Sequence, residues 1–299
     1  MKIPFLNIKS SKPGPTVLLT ACLHGDEIGG LLIIQEIFKT LKGHLLRGRL
    51  EALPVLNPVG FKNVSRYFSL EGKEDLNRLF PGKKEGTTAE KTAAEIFKMI
   101  LGKKPSLVID IHNDWKNSIP HNLIDYQERM IKNKAFKKAQ ELSQQTGLIT
   151  VLDSKDIEGT LSFNLLKQGI PALAMEFGEP QIKTGKNIKV GIKAILNLLS
   201  KLKMIKPPEK TFIHSTKALL KGKVLKYADQ SSSTQGTIRF TVKPGQMVKK
   251  GETVAAIYDV SGNLQEEIKS PAKGIILGQT DSPVVSAGET VISFGLEKF

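Results

Sequence analysis

The chain has 299 residues, of which 40% are hydrophobic and 24% charged, an ordinary composition for a soluble globular protein. This length is sufficient for two domains, and no apolar run approaches the ~20 residues that a membrane-spanning helix requires. The formal net charge of +15 would suit a nucleic-acid-binding protein, but the lysines are spread along the chain without an aromatic RNA-binding signature or zinc-finger spacing. We therefore expect a solvated lysine-rich surface that does not bind nucleic acid.

The N-terminus and the cysteine content bear on localisation. Residues Met1 to Phe5 are not part of a long apolar segment, and no small-residue cleavage site follows them. Cys22 is the only cysteine, which excludes an internal disulfide framework and suits a reducing compartment. We expect a cytoplasmic protein.

Up to about residue 203, short apolar runs alternate with amphipathic segments. Strands are predicted at 16–21, 50–56, 107–111, 148–152 and 170–176, with a turn at 57–60, and helices at 28–41, 88–101, 127–146 and 188–204. Thr87 or Thr88 would cap the second of these helices. The last helix is basic and amphipathic, which also suits a membrane surface, but such a helix more often packs on a sheet. The alternation predicts an α/β fold, with a mixed sheet flanked by helices.

The composition changes near Lys206-Pro207-Pro208. Beyond this point, short β-rich runs are separated by glycine turns, and no helical pattern is evident. Residues 248–254 (VKKGETV) return as residues 285–291 (VSAGETV), which predicts two related halves in a small barrel or sandwich. We therefore predict an α/β domain over residues 1–206 and an all-β domain over residues 207–299.

Three residues next to predicted strands have the side chains of a zinc site. His24 and Glu27 follow the strand at 16–21, and His112 follows the strand at 107–111. Two imidazoles and one carboxylate leave a position open for water, as a catalytic zinc requires. Asp110 lies two residues before His112 and is placed to hydrogen-bond a ligand histidine. The alternative is that Glu27 only interacts favourably with a helix N-terminus. For His44, His121 and His214 we expect surface or loop positions.

Two further clusters carry charged groups. Arg66, Asn77 and Arg78 lie in a loop-like segment and offer donors for a carboxylate and an oxyanion, although Arg78 could instead form a local ion pair with Asp75. Glu176 ends an apolar strand, where burial would raise its pKa toward the range of a general base. The alternative for Glu176 is an ion pair with an arginine.

Together these motifs resemble the succinylglutamate desuccinylase/aspartoacylase family, which is related to zinc carboxypeptidases. The resemblance covers most of Thr16 to Pro180 and depends on four motifs in order: His24-Gly25-Asp26-Glu27, Asp75-Leu76-Asn77-Arg78, Asp110-Ile111-His112 and Glu176-Phe177-Gly178. It implies a carboxypeptidase-like fold, one Zn²⁺ per chain and hydrolysis of an amide bond.

The resemblance also implies a role for each residue. His24, Glu27 and His112 would bind Zn²⁺, and Glu176 would move a proton from water to the departing amine. Arg66 would stabilise the oxyanion, while Asn77 and Arg78 would hold the α-carboxylate of the amino-acid half. The resemblance leaves open whether the chain forms a homo-oligomer.

The sequence departs from the family at one place. Aspartoacylases that take a dicarboxylic amino acid carry a further arginine shortly before the catalytic glutamate, whereas residues 164–169 here contain no arginine. Lys167 is the basic residue in this segment that could replace that arginine, but an ammonium is a point charge and lacks the paired donors with which a guanidinium binds a carboxylate. N-acetylaspartate is therefore a poor fit, and the side chain of the substrate stays open.

The C-terminal segments Val242–Gly251 and Ile268–Gly274 resemble biotinyl/lipoyl-type modules. The hairpin that presents a modified lysine in such carriers here covers Tyr258–Leu264, which has no lysine. We expect a barrel of that shape that carries no cofactor. Its role would be to pack on the first domain, to form a lid over the site or to mediate assembly.

The sequence thus predicts a zinc-dependent amidohydrolase for a small N-acyl amino acid or diamino acid. Two alternatives stay open. One is a metallocarboxypeptidase acting on short peptides, and the other is a metal-dependent binding protein without catalysis.

Overall fold

The computed structural model describes residues 3–69, 72–179 and 185–297. The helices are α1 (Gly29–Leu41), α2 (Pro58–Asn63), α3 (Thr88–Gly102), α4 (Lys134–Ser143), α5 (Leu161–Lys167), α6 (Lys186–Lys201) and α7 (Ser215–Leu219), with 3-10 turns at Leu76–Arg78 and Glu128–Met130. The strands are β1 (Leu6–Lys9), β2 (Thr16–Ala21), β3 (Arg49–Leu53), β4 (Leu107–Asn113), β5 (Asn117–Ser118), β6 (His121–Asp125), β7 (Ile149–Asp153), β8 (Ala172–Phe177), β9 (Val224–Ser231), β10 (Gly236–Phe240), β11 (Met247–Val248), β12 (Thr253–Tyr258), β13 (Leu264–Lys269), β14 (Gly274–Gln279), β15 (Val284–Val285) and β16 (Thr290–Leu296).

The centre of the molecule is a mixed sheet flanked by helices. Its order is β1-β3-β2-β4-β8-β6-β7-β9-β16-β14-β11. The strands β3, β2, β4 and β8 are parallel, and β6 runs antiparallel to β8. Every residue of β2 and β4 is buried, as expected for strands covered on both faces. The predicted mixed α/β architecture is therefore confirmed.

Local capping chemistry explains where several elements begin. Thr87 and Glu90 form a reciprocal capping box at the start of α3. The predicted turn at 57–60 is wrong, because Asn57 caps α2 by accepting from the Gly60 N–H and Pro58 occupies the first turn. The helix predicted over 127–146 is shorter, because Asn133 accepts from two N–H groups and begins α4 there.

The strand β6 was missing from the sequence prediction. Its residues His121 and Asn122 are polar but buried, so the run lacks the apolar character of the other central strands. The Asn122 NH₂ group donates to oxygen atoms of Ser143, Thr146 and Ile149. The expected surface or loop position of His121 is therefore wrong.

The C-terminal region contains a second sheet of order β13-β12-β10-β15 with its own buried cluster. The sequence repeat appears in the pairing, because β11 pairs with β14 in one half and β15 pairs with β10 in the other. The region is not purely β: the short helix α7, whose N-terminus His214 caps, precedes β9.

The central sheet continues from the first region into the second. The strand β9 runs parallel to β7, and β14 pairs with β5. A buried cluster that includes Val151, Leu225 and Ile275 packs across this junction. In the described part of the chain, we find no helix that combines the length and the hydropathy needed to span a membrane.

Candidate metal centre and active site

His24 and Glu27 lie in the loop between β2 and α1, beyond the carboxyl end of β2. The intervening Gly25 has a steric reason, because a Cβ atom there would lie 1.9 Å from the Gly60 carbonyl carbon. Its N–H donates to the Ser65 carbonyl at 2.9 Å. The loop therefore packs tightly on the start of the segment that carries Arg66, and this contact brings two sequence motifs together.

His24, Glu27 and His112 form a compact cluster. One ligand atom from each lies within 4.8 Å of the other two, and all three residues are buried. The Glu27 carboxylate is 2.6 Å from His24 Nδ1 and 3.0 Å from His112 Nδ1. Ligand atoms of a tetrahedral zinc with bonds of ~2.0–2.1 Å are separated by roughly 3.3 Å. The donor set and its spacing therefore fit a zinc ion with one open position.

His112 is oriented from behind by Asp110. The Asp110 carboxylate lies 2.8 Å from His112 Nε2 and itself accepts a 2.6 Å hydrogen bond from the Thr20 hydroxyl. Burial opposes a protonated imidazole, but the adjacent Asp110 and Glu27 carboxylates raise the pKa of His112 well above its usual value. Since Nε2 faces Asp110, Nδ1 is the nitrogen available to a metal, as in other carboxylate–histidine–metal arrangements.

Asp75 orients His24 in the way that Asp110 orients His112. It contacts His24 Nε2 at 3.2 Å and accepts from the Arg66 guanidinium at 2.9 Å. Burial acts to raise the pKa of Asp75, but His24 and Arg66 hold that pKa well below its usual value. Asp75 thus pairs with Arg66 and His24, and it has no ion pair with Arg78 in the described structure. We had not predicted this orienting role, for which the only signal was the Asp-Leu-Asn-Arg motif.

Glu176 lies beside the cluster through strand register. It is paired with His112 on β4 and with His121 on β6, so the three side chains form a row on one face of the sheet. Burial raises the pKa of Glu176 to about 8, and the neighbouring Glu27 and Asp114 carboxylates act in the same direction. In the described structure no arginine forms an ion pair with Glu176. This geometry places a proton acceptor next to the His24–Glu27–His112 cluster.

Asn77 and Arg78 line the same cavity from the 3-10 turn that Asp75 caps. The Asn77 side-chain oxygen accepts from the Leu161 N–H at 2.9 Å, which turns its NH₂ group away from α5. Arg78 is exposed, and its guanidinium donates to the Asn77 carbonyl at 2.8 Å. Arg66, closer to the cluster, lies 3.5 Å from Glu27. These three residues supply the hydrogen-bond donors of the cavity wall.

The cavity has a volume of about 180 Å³. Sites for drug-sized ligands are larger, at roughly 300–1,000 Å³, so this one suits a small molecule. The C-terminal region closes one side with Tyr227 of β9. Burial raises the pKa of the Tyr227 hydroxyl, and the carboxylates of Asp114, Asp229 and Asp153 add to that shift. The hydroxyl is therefore a proton donor in hydrogen bonds, and not a phenolate.

Several lining residues were absent from the sequence prediction. His121, Asp125 and Asp153 all line the cavity, from β6 and β7. By contrast, Lys167 is exposed on α5, with its ammonium 5.6 Å from the ring centre of Phe163, and it does not line the cavity. The sequence offered no signal for His121, Asp125 or Asp153, since none of them belongs to a recognisable motif.

Comparison with known proteins relates the chain to one family. Residues 13–202, more than half of the chain, match the family model described as the succinylglutamate desuccinylase/aspartoacylase catalytic domain. The N-alpha-acetyl-L-2,4-diaminobutyric acid deacetylase of Halomonas elongata is 25% identical over 305 residues, which cover 97% of this chain and 84% of that protein.

Solved structures show the same fold over the whole length. The product-bound ectoine utilization protein EutE (DoeB) from Ruegeria pomeroyi superposes with a TM-score of 0.82 at 23% identity, covering 99% of this chain and 89% of that chain. A succinylglutamate desuccinylase/aspartoacylase from Rhodobacter sphaeroides gives a TM-score of 0.82 at 23% identity, with 100% and 90% covered. At these identities the likeness establishes the fold alone.

Proposed function

We propose that this chain, which belongs to the succinylglutamate desuccinylase/aspartoacylase family, is a zinc-dependent hydrolase that cleaves the amide bond of a small N-acyl amino acid. The observation that carries the proposal is the row formed by His112 and Glu176 beside His24 and Glu27. A cluster that can hold a metal ion, with a half-buried carboxylate next to it, is the arrangement that amide hydrolysis by activated water requires.

His24, Glu27 and His112 would hold the zinc ion. When bound by two histidines and one glutamate, zinc would supply Lewis-acid chemistry, lowering the pKa of a water molecule and polarising the substrate carbonyl group. Asp110 and Asp75 hold the two imidazoles in their orientations from behind. This support fixes the ring nitrogens that face the Glu27 carboxylate.

Of the remaining residues, Glu176 carries a proton, and the others bind the negatively charged groups of the substrate. Glu176 takes a proton from the attacking water and delivers it to the leaving amine nitrogen. Arg66 lies beside the cluster and offers its guanidinium to the oxygen that becomes negative in the tetrahedral state. Asn77 and Arg78 supply the donors that bind the α-carboxylate of the amino-acid half. The amide bond breaks as the nitrogen leaves with the transferred proton.

We also propose that the C-terminal β region, a module of biotinyl/lipoyl-like shape, acts as a wall of the active site. Tyr227 lines the cavity, and the hairpin that would present a modified lysine has none between Tyr258 and Leu264. Because Tyr227 forms part of the wall of a cavity of only about 180 Å³, we expect small N-acyl amino acids to be better substrates than peptides. The single, buried Cys22 agrees with a cytoplasmic location.

The test is release of free amine from a panel of N-acetyl, N-succinyl and N-formyl amino acids by the zinc-loaded protein. We expect turnover of at least one N-acyl amino acid and loss of that activity on chelation, with recovery when zinc is returned. A linear dipeptide or tripeptide serves as the comparison substrate. Faster cleavage of the peptide would favour a carboxypeptidase, and absence of any hydrolysis would favour a non-catalytic metal-binding protein.

A further inference from the structure

One face of β6 forms the part of the cavity wall that the proposed chemistry does not use. His121, Leu123 and Asp125 alternate along the strand and all line the cavity, because every second side chain of a strand points to the same side. Asp125 is paired in register with Asp153 of the parallel neighbour β7, which also lines the cavity. Two carboxylates therefore lie side by side at the far end of this face.

Asp125 is held rigidly although it is almost completely buried. Only 4% of its surface is exposed, and the hydroxyl groups of Thr160 and Ser162 both lie against Oδ2. Burial raises the pKa of Asp125, and these hydroxyls only partly offset that effect. The neighbouring Asp153 accepts from the Lys155 N–H through Oδ1 at 2.9 Å. Burial raises the pKa of Asp153 to about 7, and the nearby Asp125 adds to the shift.

Neither carboxylate has an ion-pair partner in the described residues. Two of the basic side chains that line the cavity are engaged elsewhere: the Lys155 ammonium lies 2.9 Å from Asp229, and the Arg78 guanidinium donates to the Asn77 carbonyl. Asp125 is buried and Asp153 is half-buried, and carboxylates withdrawn from water without a counter-ion are rare in proteins unless a ligand provides the charge. Around the whole cavity, six acidic residues face three basic ones, although the chain as a whole carries a net charge of +15.

His121 gives an independent indication of the ligand. It is 2% exposed, and its Nδ1 lies 3.0 Å from the Ile119 carbonyl, to which it donates. Burial lowers the pKa of His121 to about 4, so the ring is neutral and Nε2 is an acceptor. Among the described residues this Nε2 has no partner, yet the ring lines the cavity. The polar groups that β6 and β7 present to the ligand are thus acceptors, and a ligand that satisfies them must bring donors.

We propose that Asp125 and Asp153 bind the ammonium group of the substrate's side chain, so that the enzyme acts on N-acyl amino acids with a cationic side chain, such as N-acyl diamino acids. This inference rests on the proposed function, because it assigns the side-chain subsite of the same cavity. Leu123 and Ala174, paired in register between the Glu176 row and the two carboxylates, provide an apolar path for the methylene groups. His121 accepts a hydrogen bond from the substrate near the reacting end.

The first experiment compares substrates that differ only in side-chain charge. Nα-acetyl-L-ornithine and Nα-acetyl-L-2,4-diaminobutyrate carry an ammonium, N-acetyl-L-norvaline lacks it, and N-acetyl-L-glutamate carries a carboxylate. We expect kcat/KM for the better cationic substrate to exceed that for N-acetyl-L-norvaline by about 10- to 100-fold, the range for hydrogen bonds to a charged group, and N-acetyl-L-glutamate to be the poorest substrate. Equal or better turnover of the uncharged or acidic substrate would overturn the inference.

The second experiment uses the isosteric variants Asp153→Asn and Asp125→Asn in the zinc-loaded protein. Each should lower kcat/KM for the cationic substrate by about tenfold or more while leaving N-acetyl-L-norvaline within about twofold. Glu158→Gln is the matched control, since this exposed carboxylate lies close in sequence but does not line the cavity. If the Asn variants lower all substrates alike, the carboxylates serve to position Arg78, and the inference is wrong.

A binding measurement separates the failure of this inference from that of the proposed function. Calorimetry with free L-ornithine and L-2,4-diaminobutyrate should give weaker binding to Asp153→Asn than to the parent by about tenfold or more, with L-norvaline unaffected. If no N-acyl amino acid is hydrolysed but this difference is found, the deacylase proposal fails and the ammonium subsite stands. If hydrolysis is found but neither variant changes the preference for charge, the subsite fails alone.

Discussion

The α/β region and the C-terminal β region reach the same cavity by different routes. In the α/β region, His24, Glu27, His112 and Glu176 lie at or just beyond strand ends, within motifs that are visible in the sequence. In the C-terminal region, Tyr227 reaches the cavity only because β9 extends the sheet beside β7. The identity of the proposed reacting groups can thus be read from short motifs, whereas strand pairing between distant segments brings those groups together and shapes the cavity around them.

Removing a metal ligand should give the largest effect and tests the first half of this comparison. We expect His112→Ala to lose zinc and to reduce amide hydrolysis to the level of an uncatalysed control, because two ligands do not form a closed site. Elemental analysis of the purified protein should give one zinc per chain for the parent and close to none for the variant. His44→Ala, at an exposed histidine, should keep both metal and activity. Full zinc content in His112→Ala would contradict the assigned ligand set.

Replacing the proton carrier should give the next largest effect. We expect Glu176→Gln to keep zinc but lower kcat by about 10²- to 10⁴-fold, the usual contribution of general acid–base catalysis. Steady-state kinetics with the best N-acyl amino acid from the panel, together with the zinc content, measures this. Glu141→Gln, at an exposed carboxylate that pairs with Lys138, is the control. Retained turnover in Glu176→Gln would remove this residue from the mechanism.

Weakening the support behind a ligand should cost less than removing the ligand. Asp110→Asn keeps the shape at His112 Nε2 but removes the charge, and we expect zinc affinity to fall by about 10- to 100-fold. Competition with a chelator of known affinity measures the change. An unchanged zinc affinity would show that the 2.8 Å contact between Asp110 and His112 does not tune the site.

We expect the smallest effect from a substitution in the C-terminal region, where Tyr227 lines the cavity without a proposed role in the chemistry. Tyr227→Phe removes one hydroxyl from the cavity wall, and we expect kcat/KM to fall by about 3- to 10-fold, as for one hydrogen bond, with zinc content unchanged. Tyr258→Phe, in the second sheet beside Arg239, is the matched control and should have no effect. If Tyr227→Phe lowered activity as much as Glu176→Gln does, Tyr227 would take part in the chemistry, and the two regions would not differ in this respect.

Much of the fold and of the metal-binding cluster followed from the sequence. The strand at 16–21 was predicted with its observed bounds, and the capping pair Thr87 and Glu90 correctly placed the start of α3. Such features depend on contacts between near neighbours or on hydrophobic periodicity, both of which a single sequence displays. The three candidate ligands could be proposed because two are three residues apart, the third ends an apolar strand, and the four motifs together resemble one family.

The tertiary structure alone decided that side chains of β6 and β7 also line the cavity. The strand β6 could not be identified as a central strand from the sequence, because buried polar residues such as Asn122 interrupt its apolar pattern. The NH₂ group of Asn122 finds its acceptors on residues that only the fold brings near, among them Thr146. Register then placed His121 beside Glu176 and Asp125 beside Asp153. The pairing of strands far apart in the chain depends on the summed packing of both sheet faces, so the sequence determined the reacting groups, and the fold determined what surrounds them.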